Sequence, residues 1–205
     1  MSISTNEPTS LFGEPAWDIA QLFPAQGHWS EQEYFHLANS TNRLIEFSDG
    51  QIEVLTMPTM THQVILQFLF GSLDAFTRAG RLGTVMFAGI RVRLWQGKYR
   101  EPDILFMLAE HAHRITEQFW DGADLVMEVV SEDRQHDFEI KRQGYAEAGI
   151  PEYWIVDPRD GLITVLGLDG SSYTVLGEFC RGDRAISRLL PGFSVAVAEV
   201  FERKV

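Results

Sequence analysis

The chain has 205 residues, 45% of them apolar and 12% aromatic, with one cysteine and a formal net charge of −12. That length suits one domain with a real core, and the composition excludes a disordered chain, a cysteine-built zinc site and an intrachain disulfide. The acidic balance opposes long-range attraction to phosphate, so contact with nucleic acid needs a local basic patch, bound metal ions or a basic partner.

Residues 1–29 read as a leader, with Met1–Pro15 rich in Ser, Thr and Pro. The leader has no basic start and no apolar run of signal-peptide type. Together with the lone Cys180 this implies a cytoplasmic home. No apolar run is long enough to span a bilayer, so no membrane association is expected. Residues 30–205 are expected to form one domain.

Ser30 followed three residues later by Glu33 is a capping-box pattern and predicts a short helix through about Ala38. The runs 43–48 and 51–56 flank Asp49-Gly50, a strong hairpin signal. Val64, Ile65, Phe68, Leu69, Leu73 and Phe76 recur at helical spacing, so Thr61–Arg78 predicts a long helix stopped by Gly80. Residues 83–94 read as one strand and Asp103–Leu108 as another. Asp124–Val130 is apolar almost throughout and reads as a strand covered on both faces. A helix from about Arg134 to Glu147 follows, ended by Gly149 and Pro151. Tyr153–Val156 is a buried strand, and 163–168 with 173–179 form a second hairpin around Asp169-Gly170. Phe193–Phe201 closes the chain as a short strand and helical stub. The order predicts an α/β (α+β) fold: a mixed sheet flanked by helices, with additional β-hairpins.

Three pieces carry chemistry. Glu128 interrupts the apolar strand, where a carboxylate is costly to bury unless it is paired or bound to metal. Asp103 follows Pro102 at a strand start, which by itself is also ordinary turn chemistry. Lys141 lies four residues after Asp137, which by itself is also a plain intrahelical ion pair. Together they make a minimal kit for phosphodiester hydrolysis. Two acids on neighbouring strands supply oxygens to Mg²⁺ (or Mn²⁺), the metal acidifies a bound water, and a lysine stabilises the added charge.

The order Pro102-Asp103, Glu128 in an apolar strand, then a lysine resembles the PD-(D/E)XK nuclease superfamily. More closely, the chain resembles the Uma-two family of restriction-endonuclease-like proteins. The resemblance is carried by Leu44–Gln63, REPDILF (Arg100–Phe106), Asp124–Pro158 and LPGFSV (Leu190–Val195), and most specifically by Glu128–Pro158. Val130 stands where the superfamily motif has lysine, and the resemblance moves that role to Lys141 on the next helix. It further implies a restriction-endonuclease-like fold, a metal held by Asp103, Glu128 and the main-chain carbonyl of Val129, and an additional carboxylate from Glu46. It places His62 at the head of the long helix, where a capping or surface histidine is the ordinary reading.

The resulting expectation is a metal-dependent endonuclease acting on DNA, with a homodimer as the arrangement that lets two sites cut two strands. The rival reading is a catalytically silent nuclease-fold module that binds nucleic acid or another partner. It draws on the acidic charge and on Val130. A third reading is hydrolysis of a smaller phosphoester. His111 and His113 are assigned to the surface, and Trp95, Trp120 and Trp154 to the core.

Overall fold

The computed structural model describes residues 23–131 and 136–202, without the side chains of 136 and 137. Helix α1 (Glu31–Asn39) starts with the expected capping box: the Ser30 hydroxyl accepts from the Glu33 N–H, and the Glu33 carboxylate accepts from the Ser30 N–H. Strands β1 (Ile45–Ser48) and β2 (Gln51–Val54) are joined at Asp49 and Gly50, both at positive φ. That backbone matches strand twist, which explains the Asp-Gly signal. Residues 26–29 bond back onto this hairpin through Gly27, Trp29 and the Gln26 side chain.

Helix α2 (Met60–Gly80) is capped by the Thr59 hydroxyl and buries Ile65, Leu66, Leu69 and Leu73. Its left-handed terminal residue is Arg81 rather than Gly80. Gly80 serves a different purpose, since a Cβ there would lie 2.8 Å from the Leu82 side chain.

The single strand expected over 83–94 is two, β3 (Gly83–Phe87) and β4 (Val92–Trp95). Between them Gly89, at φ 94°, lets the chain turn from one sheet into another. A short strand β5 (Lys98–Arg100) was not foreseen. After it come β6 (Ile104–Leu108), a 3₁₀ turn (Ala109–Arg114), β7 (Trp120–Asp121) and β8 (Leu125–Val129). The helix expected over 134–147 is, where described, a π-helical stretch (His136–Ile140) leading into α3 (Lys141–Glu147). Gly149, at φ 74°, follows its end. The chain continues through β9 (Glu152–Asp157), β10 (Leu162–Asp169), β11 (Ser172–Phe179), β12 (Arg184–Ile186), β13 (Ser194–Ala196) and α4 (Val197–Phe201).

The fold is mixed α/β as expected, with the strands shared between two mixed sheets and a ribbon. One sheet has the order β2-β1-β5-β4-β7, the other β11-β10-β9-β8-β6-β3, and β12-β13 stand apart. In the six-stranded sheet β8 runs parallel to β9 and antiparallel to β6. Alternation divides β8 cleanly. Leu125, Met127 and Val129 pack with Leu69 and Leu73 of α2, while Val126 and Val130 pack with Tyr145 and Ala146 of α3. Parity therefore puts Glu128 on the α3 face, and Asp103, two residues before Leu105, on that same face. A third apolar cluster (Tyr34, Ala38, Ile45, Phe47, Tyr99) joins α1 to the five-stranded sheet. Trp154 and Trp120 are core residues. Among the described residues no helix is long and apolar enough to cross a membrane.

Candidate active site

The β6–β8 ladder stops at the pair Ile104–Met127, because Pro102 has no N–H to continue it. One step further the register sets Asp103 opposite Glu128, with both carboxylates on one face. The Asp103 side chain takes over where the ladder ends: its Oδ2 accepts the Val129 N–H at 2.8 Å. The same oxygen lies 3.1 Å from Nε2 of His62. The Pro-Asp dipeptide thus ends a strand pairing and aims a carboxylate.

His62 is the site residue the sequence reading undervalued. Its backbone N–H does bond the Thr59 cap, as a helix-start residue should. Its ring, 14% exposed, turns to Asp103. Burial works against its proton, but the hydrogen bond to Asp103 and the charges of Asp103 and Glu128 outweigh burial and Lys141. The imidazole pKa is held above its ordinary value. Its Nδ1 is buried with no hydrogen-bond partner among the described residues.

Glu128 is 1% exposed. The Lys141 ammonium donates to its Oε2 at 3.0 Å and the Tyr145 hydroxyl to its Oε1 at 2.5 Å. Lys141 and Tyr145 are four residues apart, so one face of α3 delivers both. That spacing was visible in the sequence and is the signal by which Tyr145 could have been found. Burial, reinforced by the charges of Glu128 and Glu46, pushes the tyrosine hydroxyl well above its ordinary pKa and keeps it a donor. Removing that donor with Tyr145→Phe is expected to cost about 2 kcal/mol, the worth of a hydrogen bond to a buried charge. It would appear as a lower urea midpoint at unchanged slope. The expected pairing of Lys141 with Asp137 falls on a side chain outside the described residues.

Glu46 is fully buried in the five-stranded sheet. Its Oε2 pairs with Arg100 and its Oε1 accepts the Glu101 N–H at 3.1 Å. It does not line the cavity that holds the other acids. Glu101 does. It is 5% exposed, with Arg91 Nε 3.5 Å from its Oε1. Burial raises its pKa to about 7, against the pull of Arg91.

The cavity, about 470 Å³, opens at the carboxyl ends of the parallel strands β8 and β9, beside the amino end of α2. Its wall includes His62, Gln63, Glu101, Asp103, Glu128, Val129, Ser131, Lys141, Asp157 and Arg159, roofed by the β2–α2 connection with Met57 and Pro58. Asp157 ends β9, and its Oδ1 accepts the N–H groups of Arg159 and Asp160. His111 is assigned differently from the surface role expected of it: its Nδ1 lies 2.8 Å from the buried Asp124 carboxylate. The pair tethers the 3₁₀ turn to the start of β8.

No group of three or more acidic, histidine or cysteine donors converges among the described residues. Two carboxylates in one cavity wall still fit a magnesium-like ion, which takes one or two protein carboxylates and fills the rest of its shell with water. Glu101 in the same wall has a buried Oε2 with no hydrogen-bond partner among the described residues.

No curated protein matches the chain. Among solved structures it is similar to a putative nuclease belonging to DUF820 from Anabaena variabilis. That likeness has a TM-score of 0.65 at 16% identity and covers 79% of this chain and 92% of that one, so the two share a fold. The profile of Uma2, described as "Putative restriction endonuclease", matches residues 31–198. That span takes in both sheets, α2, α3 and every wall residue of the cavity, and the chain belongs to the Uma2 family.

Proposed function

We propose that the protein is a divalent-metal-dependent endonuclease that hydrolyses DNA phosphodiester bonds in this cavity. The observation that carries the reading is that Asp103, held by the Val129 N–H just past the end of the β6–β8 ladder, shares one cavity with Glu128, whose Oε2 lies 3.0 Å from Lys141. Asp103 and Glu128 would hold Mg²⁺ or Mn²⁺, with the carbonyl of Val129 beside them. The bound ion supplies an acidified water and neutralises phosphate charge. The chain's own groups do the rest. His62 and the Val129 N–H hold one oxygen of Asp103, Oδ2, and so fix the carboxylate in the cavity wall. Tyr145 orients Glu128 through Oε1. Lys141, which donates to Oε2 of Glu128 in the same cavity wall, would meet the negative charge that develops on the phosphate. Glu46 acts from behind by neutralising Arg100. Arg159 on the rim supplies local positive charge, which a chain of net charge −12 needs in order to hold a phosphate backbone. A homodimer would bring two such sites to a duplex.

The test is plasmid cleavage with Mg²⁺ or Mn²⁺. Asp103→Asn should lower the rate roughly a thousandfold, the equivalent of about 4 kcal/mol of lost metal-borne stabilisation. Equal cutting by the variant would remove the assigned site. A second reading, a silent nuclease-fold module, is favoured by one observation: Lys141 and Tyr145 already serve both oxygens of Glu128. Calorimetry separates the two, since a silent module binds no Mn²⁺ that depends on Asp103.

A further inference from the structure

We propose that Met57, on the β2–α2 connection, binds the face of a nucleobase beside the phosphate to be cut, and so makes a nucleotide-bearing diester the substrate class of this cavity. The inference rests on the endonuclease reading above. It adds a residue for the base, where that reading uses residues for the metal and the phosphate alone.

Met57 precedes Pro58, and a residue before proline is restricted to extended backbone. The connection is anchored on both sides of it: the Leu55 N–H donates to the Leu44 carbonyl, and Thr59 caps α2. Pro58 fixes φ between these anchors. A short, stiff segment therefore holds Met57 out from the body of the protein, and the residue is 83% exposed. It lines the cavity together with Val54, which is also exposed, and the exposed Met60 follows in the first turn of α2. Among the described residues nine large apolar side chains are exposed, and these three fall within seven consecutive positions. Single exposed apolar residues need no explanation, but a run of them at the mouth of one cavity marks a binding surface.

The charge of the segment fits the same occupant. Although the chain carries a net charge of −12, no acidic side chain occurs from Val54 to Leu73. A phosphodiester backbone can therefore lie along the connection without meeting a carboxylate there. Lys141 and Arg159 in the same cavity wall suit phosphate, while Val54 and Met57 suit an apolar ring. A nucleotide is the ligand that presents both an anionic diester and a flat ring with an apolar face. Methionine fits that ring because its thioether is polarisable and its unbranched chain adapts to aromatic surfaces of varied shape. It is also one of the side chains that proteins insert between base steps. Every base has such a face, so the contact selects nucleotides over simple diesters without reading sequence.

The experiment measures plasmid cleavage by the full chain with Mg²⁺ or Mn²⁺, and its inhibition by two competitors of equal length and charge, a strand of thymidines and an abasic strand. Wild type, Met57→Ala and Met57→Leu are compared. Met57→Ala is expected to raise KM for plasmid about tenfold and to leave kcat within about twofold of wild type. Met57→Leu, which keeps an apolar side chain of similar size, should stay near wild type. Against wild type the thymidine strand is expected to inhibit about tenfold better than the abasic strand, and Met57→Ala should remove that difference. A merely structural role would not move the preference between the two strands. An unchanged KM in Met57→Ala, equal inhibition of wild type by both strands, or a preference that survives in Met57→Ala overturns the role of Met57 and leaves the endonuclease reading standing. If wild type cuts no plasmid, the endonuclease reading falls and the base contact falls with it.

Discussion

Lys141→Ala is expected to lower DNA cleavage by about a hundredfold to a thousandfold, the effect of removing one preorganised group that meets developing charge. The same substitution should destabilise the fold by about 3 kcal/mol. Removing one member of a buried ion pair strands the other, and Glu128 is 1% exposed. The two losses have different origins and can be separated. In the double variant Lys141→Met with Glu128→Gln both members of this buried pair are neutral, so most of the stability should return while cleavage stays lost. Urea denaturation and plasmid nicking on the same samples check both halves. Recovery of cleavage in the double variant would show that the pair is structural only.

Glu101→Gln is expected to act in the opposite direction on stability. In the folded protein burial holds the Glu101 carboxyl at about 7, against an ordinary value of 4.5. The folded state therefore keeps a proton that the unfolded chain gives up. Below about pH 4.5 both states are protonated and the residue is neutral in effect. As pH rises from there towards 7 stability is lost, and above 7 the full penalty is present. The gap corresponds to roughly 3 kcal/mol. Glu101→Gln should thus be more stable than wild type at pH 8, by up to about 3 kcal/mol, and no more stable at pH 4. Metal-free thermal or urea unfolding at the two pH values tests this. A variant less stable at pH 8 would show that the pairing with Arg91 outweighs burial. A side chain that costs stability at working pH is the kind that function retains.

Much of the molecule follows from local chemistry. Ser30 and Glu33 specify the start of α1, because the two groups cap each other within one turn. Asp49-Gly50 specifies a hairpin through left-handed backbone that few other pairs adopt. The unbroken apolar run around Glu128 identified a strand buried on both faces, and the structure buries all of β8. The long helix was legible from its apolar spacing. What failed was non-local. Residues 83–94 look alike in hydropathy, yet Gly89 sends the two halves into different sheets, and only pairing partners far along the chain decide where each half goes. Lys98–Arg100 is too short to signal a strand without its neighbours β1 and β4.

The site divides the same way. The sequence by itself determined the cast: an acid in an apolar strand, an acid after a proline, and a lysine on the next helix. It could not determine the company they keep, because hydrogen bonds between residues tens of positions apart leave no periodic trace. His62 meets Asp103 across 41 positions and Arg100 meets Glu46 across 54. Only the tertiary structure turned the Lys141 ammonium onto Glu128, occupied Glu46 with Arg100 outside the cavity, and left Glu101 in the wall with an oxygen that meets no donor among the described residues. The reason is physical. Burial converts a common carboxylate into a costly one, and burial is a property of the packed chain.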